Sequence, residues 1–212
     1  MNREAHYQEK SLHYGAAHTR FRKLMELVNG TTNKKVLDIG CSKGYIGAKI
    51  KSLGNYVAGI DISWPAIQEA SKFLDKAYVF DIEGAWPDLD TKYDLAILPE
   101  IIEHVFDPIY VLNKINENLN LEGEIIITTP NILIWTNRIK ILLGNFKYTD
   151  QGLMDFGHIR FITHEYLKEI LDKSGFKIEE ENHIVFPGKL TKILKLWPSL
   201  FASQFILKAR KI

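Results

Sequence analysis

The chain has 212 residues, enough for one domain with a sizeable buried core. Hydrophobic residues make up 46% and charged residues 25%, and 27 basic against 26 acidic side chains leave a net charge of +1. That balance gives no electrostatic footprint for a polyanion, so nucleic acid is not the expected partner. Cys41 is the lone cysteine and excludes an intramolecular disulfide. The opening MNREAHYQEKSLHYG has no apolar leader core, and no run reaches the roughly 18 apolar residues of a membrane span; a cytoplasmic location is expected.

Between about Glu4 and Asn29, Phe21, Leu24, Met25 and Val28 recur at three- and four-residue steps, which predicts a helical segment within residues 1–33, closed by Gly30-Thr31-Thr32-Asn33. Short apolar runs follow at Lys35–Ile39, Tyr56–Ile60, Ala77–Phe80, Tyr93–Leu98 and Glu124–Thr128. They alternate with helical stretches at Gly44–Leu53, Pro65–Leu74 and Pro108–Leu119. Strands apolar on both faces, alternating with helices, predict a doubly wound α/β layer around a parallel sheet. The rhythm breaks over residues 131–162. There Ile132–Leu143 reads as a short apolar helix and Gly144–His158 as a long loop, together a cap or lid insertion. It resumes with a helix at Thr163–Ser174, a strand at Phe176–Glu181, a basic amphipathic piece at Lys189–Trp197 and a strand at Gln204–Ala209. Residues 1–212 are read as one domain.

The segment Val36-Leu-Asp-Ile-Gly-Cys-Ser-Lys-Gly-Tyr-Ile-Gly47 is a buried strand, a glycine turn and a helix start. Gly40 permits the tight turn and Gly44 the close approach of a ligand to backbone. The second glycine of a dinucleotide fingerprint is replaced by Ser42, and no phosphate-binding G-x-x-x-x-G-K-[ST] is present. Asp38 would repel a phosphate but suits an ammonium, which S-adenosylmethionine carries. Asp61, in Gly59-Ile-Asp-Ile-Ser63, stands at the next strand end, where an acid can accept both ribose hydroxyls. Asp81-Ile82 closes the third strand, placing an acid for an adenine amino group beside an apolar surface for its ring.

Val36–Gly47, Gly59–Ser63, Asp81-Ile82 and Tyr93–Pro108 resemble the successive motifs of the class I S-adenosylmethionine-dependent methyltransferases. The resemblance covers about half the chain. It implies a Rossmann-like seven-stranded sheet of order 3-2-1-4-5-7-6 with strand 7 antiparallel. It also implies that Asp38, Gly40, Cys41 and Gly44 flank the methionine part of the cofactor, Asp61 the ribose, and Asp81 with Ile82 the adenine. Ser42, Ile62, Pro99 and Glu100 complete the expected cofactor contacts. Ser42 departs from the usual glycine. Cys41 reads as a small half-buried loop residue rather than a nucleophile.

After the fourth strand, Glu100, Glu103 and His104 lie three and four apart, so one helical turn would bring them to one face. Glu103 or His104 could act as a general base on a substrate hydroxyl. The E-x-x-E-H set could instead bind a divalent cation, or merely cap a helix. It resembles the motif of ubiquinone-pathway and small-RNA 2′-O-methyltransferases, where it holds a metal; the latter add a later histidine, and His158 lies suitably downstream. Whether a metal binds here is left open.

The stretches Pro130–Arg138, Tyr148–Leu153 and Asp155–Thr163 resemble MetW-like and polysaccharide-cluster methyltransferases of the type 11/23 kind, a similarity that extends over most of the C-terminal half. Asp155, His158 and Arg160 could orient a polyhydroxylated acceptor, or Arg160 could pair with a neighbouring carboxylate and simply fix the loop. Trp135 and Phe146 could line an acceptor pocket or pack a lid. Lys189, Lys192 and Lys195, alternating with apolar residues, could touch a membrane surface or form a solvated face. The expected function is O-methylation of a small-molecule or glycan-type acceptor, with S-adenosylhomocysteine as the product cofactor. RNA 2′-O-methylation and a non-catalytic cofactor-binding module stand as alternatives. The oligomeric state is not readable.

Overall fold

The computed structural model describes residues 19–150, 152–185, 191–194 and 196–212. The part of the expected N-terminal helix before Thr19 lies outside these residues, as do Lys189, Lys195 and the side chain of Lys192. The chain runs α1 (Thr19–Val28), β1 (Lys35–Ile39), α2 (Tyr45–Lys51), β2 (Tyr56–Asp61), α3 (Trp64–Ala70), β3 (Lys76–Val79) and β4 (Tyr93–Pro99). A single 3₁₀ turn at Ile102–His104 leads to α4 (Pro108–Asn118) and β5 (Leu119–Pro130). Then come α5 (Trp135–Leu142), α6 (His164–Lys173), β6 (Phe176–Glu181), β7 (Ile184–Val185), α7 (Thr191–Leu194), α8 (Pro198–Phe201) and β8 (Ala202–Lys211).

The strands form one sheet of order β3-β2-β1-β4-β5-β8-β6, with β7 paired to β8. β1 to β5 pair in parallel, and β8 is antiparallel to both β5 and β6. The expected order is therefore present, and the antiparallel strand is the eighth in sequence because of β7. That two-residue strand escaped prediction because Ile184-Val185 is too short to show a period.

Alternate residues of each strand feed opposite faces, which is why the strands read as continuous apolar runs. On one face Leu37, Ile39, Ala58, Ile60, Ala96 and Leu98 pack with Val111, Leu112 and Ile115 of α4 and Leu167, Ile170 and Leu171 of α6. On the other, Val36, Val57, Leu95 and Ile97 pack with Leu24, Leu27 and Val28 of α1, Ile50 of α2 and Ile67 of α3.

Helix starts follow from local chemistry. Ser63, Asp107 and Thr163 cap α3, α4 and α6 by accepting the amides of Ala66, Tyr110 and Tyr166. Pro65 and Pro108 stand in first turns, where a missing N–H costs nothing. The helix expected at Ile132–Leu143 begins only at Trp135, because residues 131–134 form a turn that buries Ile132 and Ile134.

Candidate active site

β1 delivers the chain into the loop beneath which the carboxyl edges of β1, β2 and β4 meet. The amides of Gly40 and Cys41 both donate to the Ile60 carbonyl, at 2.8 and 2.9 Å, so the loop hangs from the end of β2. Gly40 (φ 70°) and Gly44 (φ 78°) take left-handed backbone. A Cβ on Gly44 would lie 3.1 Å from Ala70, so α3 crowds the turn. Ser42 also has positive φ, at 49°, which costs a side-chain-bearing residue about 1 kcal/mol or more. Ser42→Gly is accordingly expected to stabilise the protein by up to about 1 kcal/mol, read by chemical denaturation; a destabilised variant would contradict this.

Three acids expected along this edge sit in different environments. Asp38 is completely buried and neither carboxylate oxygen completes a hydrogen bond, although the Gly47 amide approaches it. Burial, then the nearby Asp61 charge, pushes its pKa up to about 7, against the pull of the Gly47 amide. Asp61 accepts the amides of Ser42 and Ser63, each at 2.8 Å, one on each oxygen. Burial raises its pKa and these amides oppose the rise. Asp81 is exposed and its Oδ1 accepts the Glu83 amide at 2.9 Å. Ile82 is half-buried, and its carbonyl accepts the Trp86 indole N–H at 2.8 Å. The Trp86 ring meets Phe80 edge-on at 5.3 Å, an aromatic wall not anticipated from sequence.

Pro99 is buried at the end of β4 and Glu100 follows with a left-handed φ of 57°. This conformation gives the Glu100 carboxylate hydrogen-bond partners other than Glu103 and His104, while leaving it near enough for Glu103 to feel its charge. Its oxygens meet Arg20 of α1, Thr128 Oγ1 of β5 and Gln204 of β8 instead. The helical turn that was to align all three residues is only the 3₁₀ turn Ile102–His104.

Glu103, His104 and His158 do converge, with one ligand atom from each within 4.8 Å of the others. Glu103 is buried; Thr129 Oγ1 donates to its Oε2 at 3.1 Å and its Oε1 has no partner. Burial first, then Glu100, drives its pKa well above the usual carboxylate range. His104 Nδ1 lies 2.7 Å from the Gly157 carbonyl. A carbonyl only accepts, so Nδ1 bears the proton and a neutral ring presents Nε2 as a lone pair. His158 is held likewise by the Leu153 carbonyl, at 3.3 Å, with its Nε2 4.0 Å from Glu103 Oε1. The rings meet edge-on at 4.8 Å.

Loop 144–163 is tied to this centre. Asp155, buried, accepts the Gly157 amide at 2.7 Å and so orients the carbonyl that holds His104. The Arg160 amide donates to the Glu103 carbonyl at 3.0 Å, and its guanidinium donates to the Phe106 carbonyl. Arg160 thus fixes the loop through backbone rather than through a carboxylate. Arg20, Gln204 and Thr129 were missed in sequence. Only Thr128-Thr129, a polar pair ending an apolar strand, carried a local signal.

A second set, His164, Glu181 and His183, also lies within cation-holding distance. Glu181 Oε2 contacts His164 Nε2 and His183 Nε2 at 2.7 and 2.8 Å, and Lys168 Nζ lies 2.6 Å from Oε1. Burial would raise the Glu181 pKa, but the bonds from Lys168, His164 and His183 prevail and hold it at about 2. His183 Nδ1 accepts the Ile206 amide at 3.4 Å, so its Nε2 carries the proton and is not available to a metal. This set is a structural ion pair.

Over residues 14–181 the chain matches the family described as "Methyltransferase domain". It is 25% identical over 161 residues to the ubiquinone biosynthesis O-methyltransferase of Bartonella quintana, covering 73% of this chain and 64% of that protein. The chain thus spans a little under two thirds of that relative. An S-adenosylmethionine-dependent methyltransferase from Mesorhizobium loti superposes with a TM-score of 0.69 at 16% identity, over 92% of this chain and 99% of the other. A magnesium protoporphyrin IX methyltransferase from Synechocystis, with bound S-adenosylhomocysteine, gives 0.68 at 15%, over 97% and 93%. The fold is that of the class I S-adenosylmethionine-dependent methyltransferases. The chain belongs to the methyltransferase-domain family, and S-adenosylmethionine is its cofactor. The unpartnered Asp38 carboxylate beneath a glycine loop with no phosphate cradle fits that cofactor's ammonium group.

Proposed function

We propose that the protein transfers the methyl group of S-adenosylmethionine to an oxygen of a small-molecule or glycan-type acceptor. The pair of imidazoles with backbone-fixed Nδ1–H groups beside Glu103 carries this reading: their Nε2 lone pairs can take a hydroxyl proton. The relatives named as ubiquinone biosynthesis O-methyltransferases support an oxygen acceptor.

When bound, the cofactor supplies a methyl on positively charged sulfur that one in-line displacement can remove. Asp61 would accept the ribose hydroxyls, Asp81 the adenine amino group, and Ile82 would pack the ring. Asp38 would face the ammonium. His104, the more tightly oriented imidazole, would take the acceptor's proton as the new O–C bond forms and the C–S bond breaks. Glu103 would stabilise the resulting imidazolium by passing to its charged form, against the burial that otherwise disfavours it, and segment 131–162 would cap the acceptor. The test is transfer of labelled methyl to phenolic and sugar hydroxyls. Tight cofactor binding without turnover on any acceptor would overturn the reading.

Asp38 gives this reading a pH signature. A carboxyl with its pKa near 7 is half protonated there, whereas an ammonium partner requires the charged form. Binding must then expel a proton below pH ~7, and affinity rises with pH until Asp38 is ionised. S-adenosylhomocysteine is expected to bind about tenfold more weakly at pH ~6 than at pH ~8. Calorimetry across that range checks this, and Asp38→Asn should flatten the dependence. A flat wild-type profile would contradict it.

A further inference from the structure

α5 is packed inside out. Its buried residue is polar: Asn137, whose Nδ2 donates to the Ile132 carbonyl at 3.0 Å. Trp135, Ile139 and Leu142, at steps of four and three, lie on the opposite side and are exposed. Leu142 and Leu143 are 85% and 77% exposed, too open to be core. Arg138 borders this stripe, Lys140 lies further round the helix toward Asn137, and Lys147 follows it. Beyond the helix, the exposed rings of Phe146 and Tyr148 meet at 5.4 Å and those of Phe146 and Phe161 at 5.9 Å.

The exposed Ile193, Leu196 and Trp197 belong to a segment held close by. Arg138 Nη2 and Asn131 Nδ2 both donate to the Ser199 carbonyl, at 3.2 and 3.1 Å. Residues 131–148 and 189–197 together contain six basic residues and no acidic one, which leaves 21 basic residues against 26 acidic elsewhere. Among the described residues, Arg138, Lys140 and Lys147 lie beside an exposed apolar surface, with no acidic residue in 131–148.

We propose that this surface docks on an anionic lipid bilayer, with α5 lying in the interface plane. An apolar helix face with basic side chains nearby satisfies both layers of such a surface: the leucines and Trp135 enter the acyl boundary while Arg138, Lys140 and Lys147 meet headgroup phosphates. Aromatic rings beside the helix suit the same depth. A second copy of the chain is disfavoured as the occupant, because it would set like charges against each other. Among the described residues no helix is long and apolar enough to cross a membrane, so the contact is peripheral.

The experiment is co-sedimentation of the full chain with phosphatidylcholine vesicles containing phosphatidylglycerol, against phosphatidylcholine alone. The wild type should pellet with the anionic vesicles and be released by salt. Leu142→Glu with Leu143→Glu should lower the vesicle-bound partition coefficient about tenfold or more, with the melting temperature unchanged because both side chains are exposed. Lys140→Glu with Lys147→Glu should weaken binding to anionic vesicles in the same way. Wild type left in the supernatant, equal binding to both vesicle types, or a leucine variant that partitions like wild type would each overturn the proposal. So would a dimer that the leucine variant splits while no vesicle binds.

Discussion

Asp61→Ala is expected to weaken S-adenosylhomocysteine binding by about a hundredfold or more. Hydrogen bonds to a charged acceptor contribute ~1.5–3 kcal/mol each, and two ribose hydroxyls would share this carboxylate. The same oxygens hold the amides of Ser42 and Ser63, so the alanine variant also frees the loop that carries the methionine contacts. Calorimetric titration measures the loss directly. Wild-type affinity in the variant would remove Asp61 from the cofactor site, and the proposed placement of the nucleoside with it.

His104→Ala is expected to reduce kcat by ~100- to 10,000-fold while cofactor affinity stays near that of the wild type. The Nδ1 bond to Gly157 fixes the ring but touches no part of the cofactor loop, which separates the two readouts. Turnover in the presence of a chelator distinguishes base from metal. Glu103, His104 and His158 each bring one ligand atom within 4.8 Å of the others, close enough to share a cation, and histidines that donate Nδ1–H to carbonyls are oriented as metal ligands often are. Activity unchanged by chelation leaves His104 as a general base. Activity abolished by chelation and restored by a divalent ion would assign the cluster to metal-assisted deprotonation. A variant with undiminished kcat would overturn both readings.

The legible parts of this protein were those where consecutive residues carry the information. The apolar runs of β1, β2 and β4 announced a sheet covered on both faces, and Gly40 with Asp38 announced the loop. The turn residues Gly40 and Ser42 do sit at positive φ, as a tight strand-to-helix turn requires. Long-range partners were not legible. The pairing of Glu100 with Arg20 and Gln204 joins residues 80 and 104 positions apart, and no local period encodes it. Spacing alone grouped Glu100 with Glu103 and His104; in the structure its carboxylate is near Glu103 but is bound by Arg20, Thr128 and Gln204. His158 was anticipated from the motif's usual company, whereas the role of Asp155 in aiming the Gly157 carbonyl depends on loop geometry. The apolar residues of α5 looked like lid packing because periodicity reports which residues share a face and not which way that face points.

Strand β8 sets the order in which the protein can assemble. It lies between β5 and β6, and β6 reaches the sheet only through it. The same strand supplies Gln204 to Glu100. The half of the sheet from β3 to β5 can form from neighbouring βαβ units, but the polar centre behind β4 stays incomplete until a strand from far along the sequence inserts between two others. Folding should therefore show a late, slow, non-local step in which closure of the site and completion of the sheet are one kinetic event.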